Sequence, residues 1–210
     1  MKIRVYNYPK WLTVLYPGSI WGFFRPKRKV LYLTFDDGPS VVATNYILNL
    51  LEQYSAKATF FCLGEQVVKE PSLYQKILAM GHGIGNHSMT HPRGWLTDNI
   101  TFLKDVEKAS QYIHSKFFRP PYGSLKFSQH TALKELGYTT VFWSYVTYDF
   151  EKDIPIHKII RKMKQKVRSG DIIVFHDSEK AFPQLQLLLP ETLAYYSKKG
   201  FVFEIIPNQK

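Results

Sequence analysis

Two adjacent carboxylates, Asp36 and Asp37, follow an apolar run in the segment TFDDGP of residues 34–39. An unpaired charge is costly to bury, so two ionised carboxylates at the end of a buried strand need a partner. A divalent cation meets that need, or one Asp binds a metal while the other acts as a base. The segment is also good turn chemistry before a helix N-terminus, because Asp-Gly-Pro favours turns. Taken alone, it leaves both interpretations open.

Two histidines four residues apart, His87 and His91, lie in the segment GNHSMTH of residues 85–91. The spacing predicts a helical turn with both imidazoles on one face, where they reach the same ion. Such pairs also arise by chance, and many are structural. Together with Asp37, the two histidines supply three protein ligands and leave a position for water, which is typical of a hydrolytic metal site.

Two further segments contain groups suited to binding a carboxylate and transferring a proton. Arg119 precedes a rigid loop with two prolines in FRPPYG, residues 118–123, where it can hold a carboxylate in a bidentate grip. The alternative is a surface arginine before a turn. The apolar run GDIIVFHD, residues 170–177, contains His176 near its end. Histidine is a good proton donor at neutral pH when a carboxylate orients it.

Apolar, β-rich runs alternate with helix-length amphipathic segments after residue 29. The alternation predicts an α/β domain in which parallel strands are joined by helical crossovers. In α/β barrels the carboxyl ends of the strands share one rim, so the reactive residues are expected to converge there. The predicted strands are residues 30–35, 58–62, 83–86, 117–119, 139–144, 171–175 and 201–206, and the helices include residues 46–51, 99–116, 128–136, 156–167 and 184–199.

The length of 210 residues suits a single catalytic domain, predicted at residues 30–210, with an aromatic arm at residues 1–29 packed on it. No run approaches the roughly 18 apolar residues of a membrane span, and the first residues lack a clear signal peptide. We therefore expect a cytoplasmic protein or one that associates peripherally with a membrane or cell wall. The oligomeric state is left open.

Basic residues outnumber acidic ones, with 28 Lys and Arg against 17 Asp and Glu, and give a formal net charge of +11. A field of this sign attracts anionic partners such as cell-wall polymers, lipid headgroups or nucleic acid. The chain contains no recognisable nucleic-acid-binding motif, so nucleic acid is not an expected partner.

Taken in order, these segments resemble the polysaccharide deacetylase family (the NodB-homology domain), which includes chitin-oligosaccharide and peptidoglycan N-acetylglucosamine deacetylases. The resemblance runs from about Val30 to the C-terminus and implies a distorted (β/α) barrel of about seven parallel strands. It implies that Asp36 is the general base. It also implies that Asp37, His87 and His91 bind a divalent metal, usually zinc, with cobalt, nickel or manganese as alternatives.

The same resemblance assigns roles to four more residues. Arg119 would steady the base, and the backbone N–H of Tyr122 would bind the oxyanion. His176 matches the general acid, and Val174 falls where an apolar residue lines the pocket for the acetyl methyl group.

One segment departs from the family pattern. The family's fourth motif usually has two spaced aspartates followed by Trp, and one of these carboxylates supports the acid histidine. The matching stretch here, WSYVTYDF at residues 143–150, has only Asp149, followed by Phe150. We expect Asp149 to support His176. Asp177 is a poorer candidate, because neighbouring side chains at a strand end diverge.

The implied activity is removal of N-acetyl groups from poly- or oligosaccharides that contain N-acetylglucosamine, so the expected partner is an acetylated carbohydrate. Metal-activated water would attack the amide, with an aspartate as base and a histidine as acid. Alternatives are an O-acetyl esterase or deformylase acting on a related sugar, or a catalytically silent carbohydrate-binding barrel. The presence of both Asp36 and His176 argues against silence, because a binding module needs neither base nor acid.

Overall fold

The computed structural model describes residue 6, residues 10–24 and residues 26–207. Within these residues, eight strands and seven α-helices alternate along the chain. The strands are β1 (Val30–Asp36), β2 (Ala58–Cys62), β3 (Gly83–Asn86), β4 (Phe117–Phe118), β5 (Thr139–Thr140), β6 (Tyr145–Val146), β7 (Ile172–His176) and β8 (Val202–Phe203). The helices are α1 (Val41–Gln53), α2 (Gly64–Lys69), α3 (Pro71–Ala79), α4 (Asn99–Ser110), α5 (Phe127–Glu135), α6 (Ile156–Lys166) and α7 (Phe182–Lys198).

Seven strands lie side by side in the order β5-β4-β3-β2-β1-β7-β6, and β8 pairs with the first residues of β1. These pairings are parallel. On one side of β1 the chain adds β2 to β5 in order, and on the other side β6 and β7 return toward β1, so the strands follow chain order around a barrel that is open between β5 and β6. The structure therefore confirms the predicted α/β class and the distorted barrel of about seven parallel strands, and it shows that the barrel is incompletely closed.

The prediction of one strand over residues 139–144 was wrong. β5 and β6 lie at opposite edges of the sheet, and the residues between them cross from one edge to the other. The backbone changes partner along this stretch, since the N–H of Val141 donates to the carbonyl of Phe118 and the N–H of Ser144 donates to that of Ile172. Because the chain bonds to two different edges along this stretch, only Thr139–Thr140 of the predicted strand forms β5, and β6 begins after its predicted end, at Tyr145.

The central strand β1 is buried along its whole length, as expected for a parallel strand covered on both faces. Phe35 stacks between Phe60 of β2 and Phe175 of β7, with ring centroids 5.1 and 5.7 Å away. In the register of β1 and β7, Asp36 is paired with His176. The packed aromatic layer therefore fixes the position of two reactive residues at the same edge of the sheet.

The described part of the segment before β1 packs beside the opening between β5 and β6. Ile20 forms a parallel bridge to Val141, and Trp21 stacks on Phe142 with ring centroids 4.1 Å apart. Residues 1–5, 7–9 and 25 of the predicted arm lie outside the described residues, and the domain boundary at residue 30 stays a prediction. Among the described helices, none combines the length and the apolar character needed to cross a bilayer.

Candidate active site

Three candidate metal ligands meet at the carboxyl ends of β1 and β3. Oδ1 of Asp37 lies 3.5 Å from Nε2 of His87 and 3.3 Å from Nε2 of His91. Two atoms bound at about 2.0–2.1 Å to a tetrahedral ion stand about 3.3–3.4 Å apart, whereas a direct charge-assisted hydrogen bond measures about 2.7–2.9 Å. The spacing therefore fits three ligands of one ion better than a hydrogen-bonded cluster.

The loop that carries the two histidines is irregular, so the prediction of a helical turn was wrong. Ser88 and His91 have φ values of 72° and 63°, and such left-handed backbone at non-glycine residues is costly and clusters at functional sites. The N–H of Ser88 donates to the side-chain oxygen of Asn86 at 2.7 Å, and the N–H of His91 donates to the Ser88 hydroxyl at 3.1 Å. These bonds hold a bent loop that brings both imidazoles to Asp37.

A hydrogen bond selects the ring nitrogen of His87 that faces Asp37. Nδ1 of His87 lies 2.8 Å from the carbonyl oxygen of Arg119 and donates to it, so Nε2 is the nitrogen that keeps the lone pair in the neutral imidazole. Burial on its own would raise the pKa of Asp37, but the imidazoles of His87 and His91 and the nearby His176 hold that pKa well below its usual range. An ionised carboxylate and a neutral imidazole with a free Nε2 are the forms that bind a metal.

Asp36 is held by a completely buried arginine. Nη1 of Arg119 donates to Oδ1 of Asp36 and to the hydroxyl of Thr34, both at 2.7 Å. Its other nitrogens donate to the carbonyl oxygens of Val141 and Phe142 at 3.2 and 3.1 Å. Because four groups fix the guanidinium, the carboxylate bound to it is fixed as well.

His176 is paired with the single aspartate of the altered segment. Nδ1 of His176 lies 2.7 Å from Oδ1 of Asp149, and the backbone N–H of His176 donates to Oδ2 at 2.8 Å. Burial on its own would lower the pKa of His176, but the Asp149 carboxylate, together with Asp37 and Asp36, raises it to about 9. The structure thus brings the single aspartate of the altered segment to His176, where it binds both Nδ1 and the backbone N–H.

Asp177, the sequence neighbour of His176, supports the loop after Asp37. Its Oδ1 accepts the N–H of Gly38 at 2.8 Å, and its Oδ2 accepts the hydroxyl of Thr44 at 2.7 Å. A side chain at residue 38 would collide with this carboxylate, and burial raises the pKa of Asp177 to about 7. Sequence reasoning missed this role, because nothing in the local pattern links residue 177 to a turn at residue 38.

These groups open onto one cavity of about 390 Å³. Its polar lining includes Asp36, Asp37, His87, His91 and His176, while Arg119 and Asp149 lie behind that lining and bond to Asp36 and His176. The apolar and aromatic lining includes Trp143, Val146, Tyr148, Phe150 and Val174. Sequence reasoning named only Val174 of these for the pocket. The others come from the segment around β6, whose course was predicted incorrectly.

Tyr122 lies on the rim of the cavity against His91. The two ring centroids are 4.5 Å apart, and the guanidinium carbon of Arg93 lies 4.2 Å from the Tyr122 ring centroid. Tyr122 has a φ of 60°, and its side chain is exposed. The oxyanion role of its backbone N–H stays a prediction.

An α/β barrel that brings an Asp-His-His triad, a carboxylate bound by a buried arginine and a histidine paired with an aspartate to its strand ends has the groups that a hydrolase uses. The chain belongs to the polysaccharide deacetylase family, whose family model matches residues 25–141. That range contains the triad, Asp36 and Arg119, and it ends before Asp149 and His176.

Relatives with named activities cover most of the chain. A peptidoglycan-N-acetylglucosamine deacetylase of Bacillus cereus is 33% identical over 182 residues, which are 84% of this chain and 85% of the relative. A chitooligosaccharide deacetylase of Bradyrhizobium sp. is 32% identical over 154 residues, 70% of each chain. A crystal structure of a peptidoglycan N-acetylglucosamine deacetylase in complex with 4-naphthalen-1-yl-N-oxidanyl-benzamide gives a TM-score of 0.81 at 27% identity, over 95% of this chain and 96% of that chain.

Replacing His87 by alanine should remove bound metal, because only two of the three candidate ligands remain. After loading with zinc and dialysis, we expect about one equivalent of metal in the wild type and at least tenfold weaker binding in His87→Ala. Inductively coupled plasma mass spectrometry measures the content. His157→Ala, which removes an exposed histidine of α6, is the matched control. Equal metal in His87→Ala and wild type would contradict the assignment.

Proposed function

We propose that this protein removes N-acetyl groups from N-acetylglucosamine units of poly- or oligosaccharides, in a reaction that depends on a divalent metal. The observation that supports this proposal most strongly is the convergence of three devices on one cavity. These devices are an Asp-His-His triad, a carboxylate fixed by a buried arginine, and a histidine charged by an aspartate. Together they supply what hydrolysis of an amide requires.

The donor set of one carboxylate and two imidazoles suits zinc, with cobalt, nickel or manganese as substitutes. Asp37, His87 and His91 would hold the ion, and the bond from His87 Nδ1 to the Arg119 carbonyl would orient one ligand. A divalent ion there supplies Lewis-acid chemistry, because it polarises an acyl oxygen and lowers the pKa of water.

Asp36 is the general base in this proposal. Its carboxylate lines the cavity next to the triad, and it accepts a proton from the water that attacks the amide carbonyl carbon. Arg119 holds Oδ1 of Asp36 in one place, so the base does not have to reorient during the reaction.

His176 is the general acid. Because its Nδ1 is bonded to Asp149, Nε2 is the nitrogen that donates a proton to the departing amine. An amine leaves poorly as an anion, so breaking the C–N bond requires this proton. The raised pKa of about 9 keeps the donor charged at neutral pH.

The remaining cavity wall provides for the acyl group and the sugar. Val174 and Val146 are apolar and buried, and would surround the acetyl methyl group. The backbone N–H of Tyr122 would bind the oxyanion. Trp143 and Tyr148 offer aromatic faces for the sugar ring. The names of the relatives support N-acetylglucosamine polymers as the substrate class.

Acetate release tests the proposed function. The zinc-loaded protein should release acetate from chitohexaose or from peptidoglycan glycan strands, and prior chelation should stop the release. The same panel contains an O-acetylated sugar, from which acetate release is measured, and an N-formylated sugar, from which formate release is measured. These two substrates test the alternative acyl groups. Turnover of either alternative with none on the acetamides would replace the proposed reaction.

A further inference from the structure

Two cations stand at the rim of the cavity and have no part in the mechanism above, Arg93 and Lys180. We propose that they are specificity-determining residues that bind carboxylates of an anionic glycan, on the sugar units at either side of the N-acetylated unit. The inference rests on the proposed deacetylase function and deepens it by naming substrate charge as a feature that the rim recognises.

On one side of the cavity, the Tyr122 ring contacts both Arg93 and His91. The guanidinium carbon of Arg93 lies 4.2 Å from the Tyr122 ring centroid, and that ring lies 4.5 Å from the His91 ring. Tyr122 lines the cavity, and Arg93 is exposed beside it. A guanidinium over a ring keeps its N–H groups in its own plane, where they can bind a carboxylate with two hydrogen bonds.

On the other side, the Phe150 ring lies near Lys180 and meets the His176 ring edge-on. Nζ of Lys180 lies 5.5 Å from the Phe150 ring centroid, and that ring lies 4.8 Å from the His176 ring. Both Lys180 and Phe150 line the cavity. His91 follows β3 and His176 ends β7, and these strands lie on opposite sides of β1. The two cations therefore flank the triad from opposite sides.

The loop that carries Arg93 is held in place by close packing. Gly94 is buried, and a side chain there would collide with the carbonyl oxygen of Ser124. The N–H of Trp95 donates to the Ser124 hydroxyl at 3.0 Å, and Nε2 of Gln129 donates to the carbonyl of Gly94 at 3.0 Å. The backbone next to Arg93 is thus fixed, which limits the positions that its guanidinium can reach.

Neither cation is neutralised by a neighbouring side chain. Within the described parts of the chain, Arg93 and Lys180 form no ion pair with a carboxylate. Glu179 precedes Lys180 but is exposed and does not line the cavity. The carboxylates that line the cavity have other partners, since Asp36 is bonded to Arg119 and Asp37 lies beside His87 and His91. The rim therefore presents positive potential to whatever extends beyond the bound sugar unit.

Glycans differ in whether they carry carboxylates that this positive potential would attract. In peptidoglycan, each N-acetylglucosamine lies between sugars that carry a lactyl group and its peptide or free carboxylate, so negative charge flanks the target unit. Chitooligosaccharides carry no carboxylate. A rim with a cation on each side matches the first arrangement, and it adds nothing to the binding of the second.

The experiment compares three substrates: glycan strands with free carboxylates, the same strands after conversion of the carboxylates to methylamides, and neutral chitohexaose. We expect Arg93→Gln and Lys180→Gln each to lower kcat/KM on the carboxylate strands by about two- to fivefold, the range of partly exposed charge pairs. The loss should shrink at high salt, because screening weakens such pairs. Both variants should match wild type on the two neutral substrates.

Lys108→Gln, which removes the same charge from the last turn of α4, should behave as wild type on all three substrates. Equal losses on charged and neutral glycans would mean that the two residues only shape the site, and unchanged kinetics on the carboxylate strands would equally overturn the inference. If Arg93→Gln displaces Tyr122 and lowers kcat/KM on every substrate, the comparison of charged with neutral substrates for Lys180→Gln tests the inference. If the wild type releases acetate from none of the three, the proposed function fails. In that case the affinities of the wild type and the same variants for the carboxylate strands and for the amidated strands are compared, which tests the inference separately.

Discussion

His176→Ala should lower kcat on acetamido sugars by about 10²–10⁴-fold, the usual contribution of a general acid, and affect activated acetyl esters much less. Asp149 holds Nδ1 of His176 at 2.7 Å and leaves Nε2 to protonate the leaving group. An amine needs that proton as the C–N bond breaks, whereas a nitrophenolate leaves without one. The substitution therefore separates the two kinds of substrate.

The two rates are measured by acetate release from chitohexaose and by absorbance with p-nitrophenyl acetate. Metal content should stay at the wild-type level, because His176 is not one of the candidate ligands. His157→Ala again serves as the control for loss of an exposed histidine. Equal losses on amide and activated ester would mean that His176 does something other than protonate the leaving group.

The pH profile gives a second readout of the same pair. A general acid works in its protonated form, so activity falls as the pH rises through its pKa. Burial on its own would lower the pKa of His176, but Asp149, with smaller contributions from Asp37 and Asp36, raises it to about 9, so wild-type activity should persist to near that pH. Asp149→Asn removes the negative charge and should move the alkaline limb down toward the ordinary histidine pKa of about 6.5. If the alkaline limb lies at the same pH in wild type and Asp149→Asn, a group other than His176 causes the loss of activity.

β1, β2 and β7 could be predicted because each is a mostly apolar run, as is typical of a parallel strand covered on both faces. These three strands and the short strand β3 lie within one residue of their predicted bounds. Knowing where these strands end was enough to expect Asp36, His87 and His176 at one rim. The short strands β4, β5, β6 and β8 have two residues each, and no periodicity can be read from two residues.

The shape of the loops could not be predicted in the same way. The spacing of His87 and His91 fits a helical turn, but the chain reaches the same convergence through a bent loop with positive φ at Ser88 and His91. The hydrogen bonds that stabilise it come partly from distant residues, such as Asp105 of α4, which accepts the N–H of Met89 at 2.8 Å. A local pattern does not record such partners.

Among the side-chain partners of the reactive groups, too, some could be predicted from the local sequence and others could not. The argument that neighbouring side chains diverge made Asp177 a poor candidate to support His176, and in the structure Asp177 bonds to Gly38 and Thr44 instead. The pairing of Asp149 with His176 joins residues 27 positions apart. Only the resemblance to the family pointed to it, because contacts across a sheet depend on the assembled fold.

Asp36→Asn should retain the metal and lose about 10²–10⁴-fold in kcat on acetamido sugars, the contribution of a general base. The amide oxygen of the new side chain can still accept the hydrogen bond from Nη1 of Arg119, so the local geometry should persist. An amide does not accept the proton of the attacking water, so the catalytic role is lost. The candidate metal ligands are other residues, which is why binding of the ion should survive.

The buried guanidinium gives this substitution a second expected effect. Asp36 forms the one ion pair of Arg119 within the described part of the chain, and a buried cation without its counter-charge destabilises the fold. The melting temperature should therefore fall, and activity must be compared well below it. Asp153→Asn, which removes the same charge from an exposed turn before α6, should change neither property.

Three measurements on Asp36→Asn separate the possible roles of the residue: metal content, melting temperature and acetate release. Retained metal with a large loss of turnover assigns Asp36 to proton transfer. Turnover within about threefold of wild type, far below a general-base contribution, would remove it from that role. Loss of metal together with turnover would instead place Asp36 among the ligands. Asp36 and Asp37 are adjacent in sequence, yet their contacts differ, since one is held by Arg119 and the other by two imidazoles.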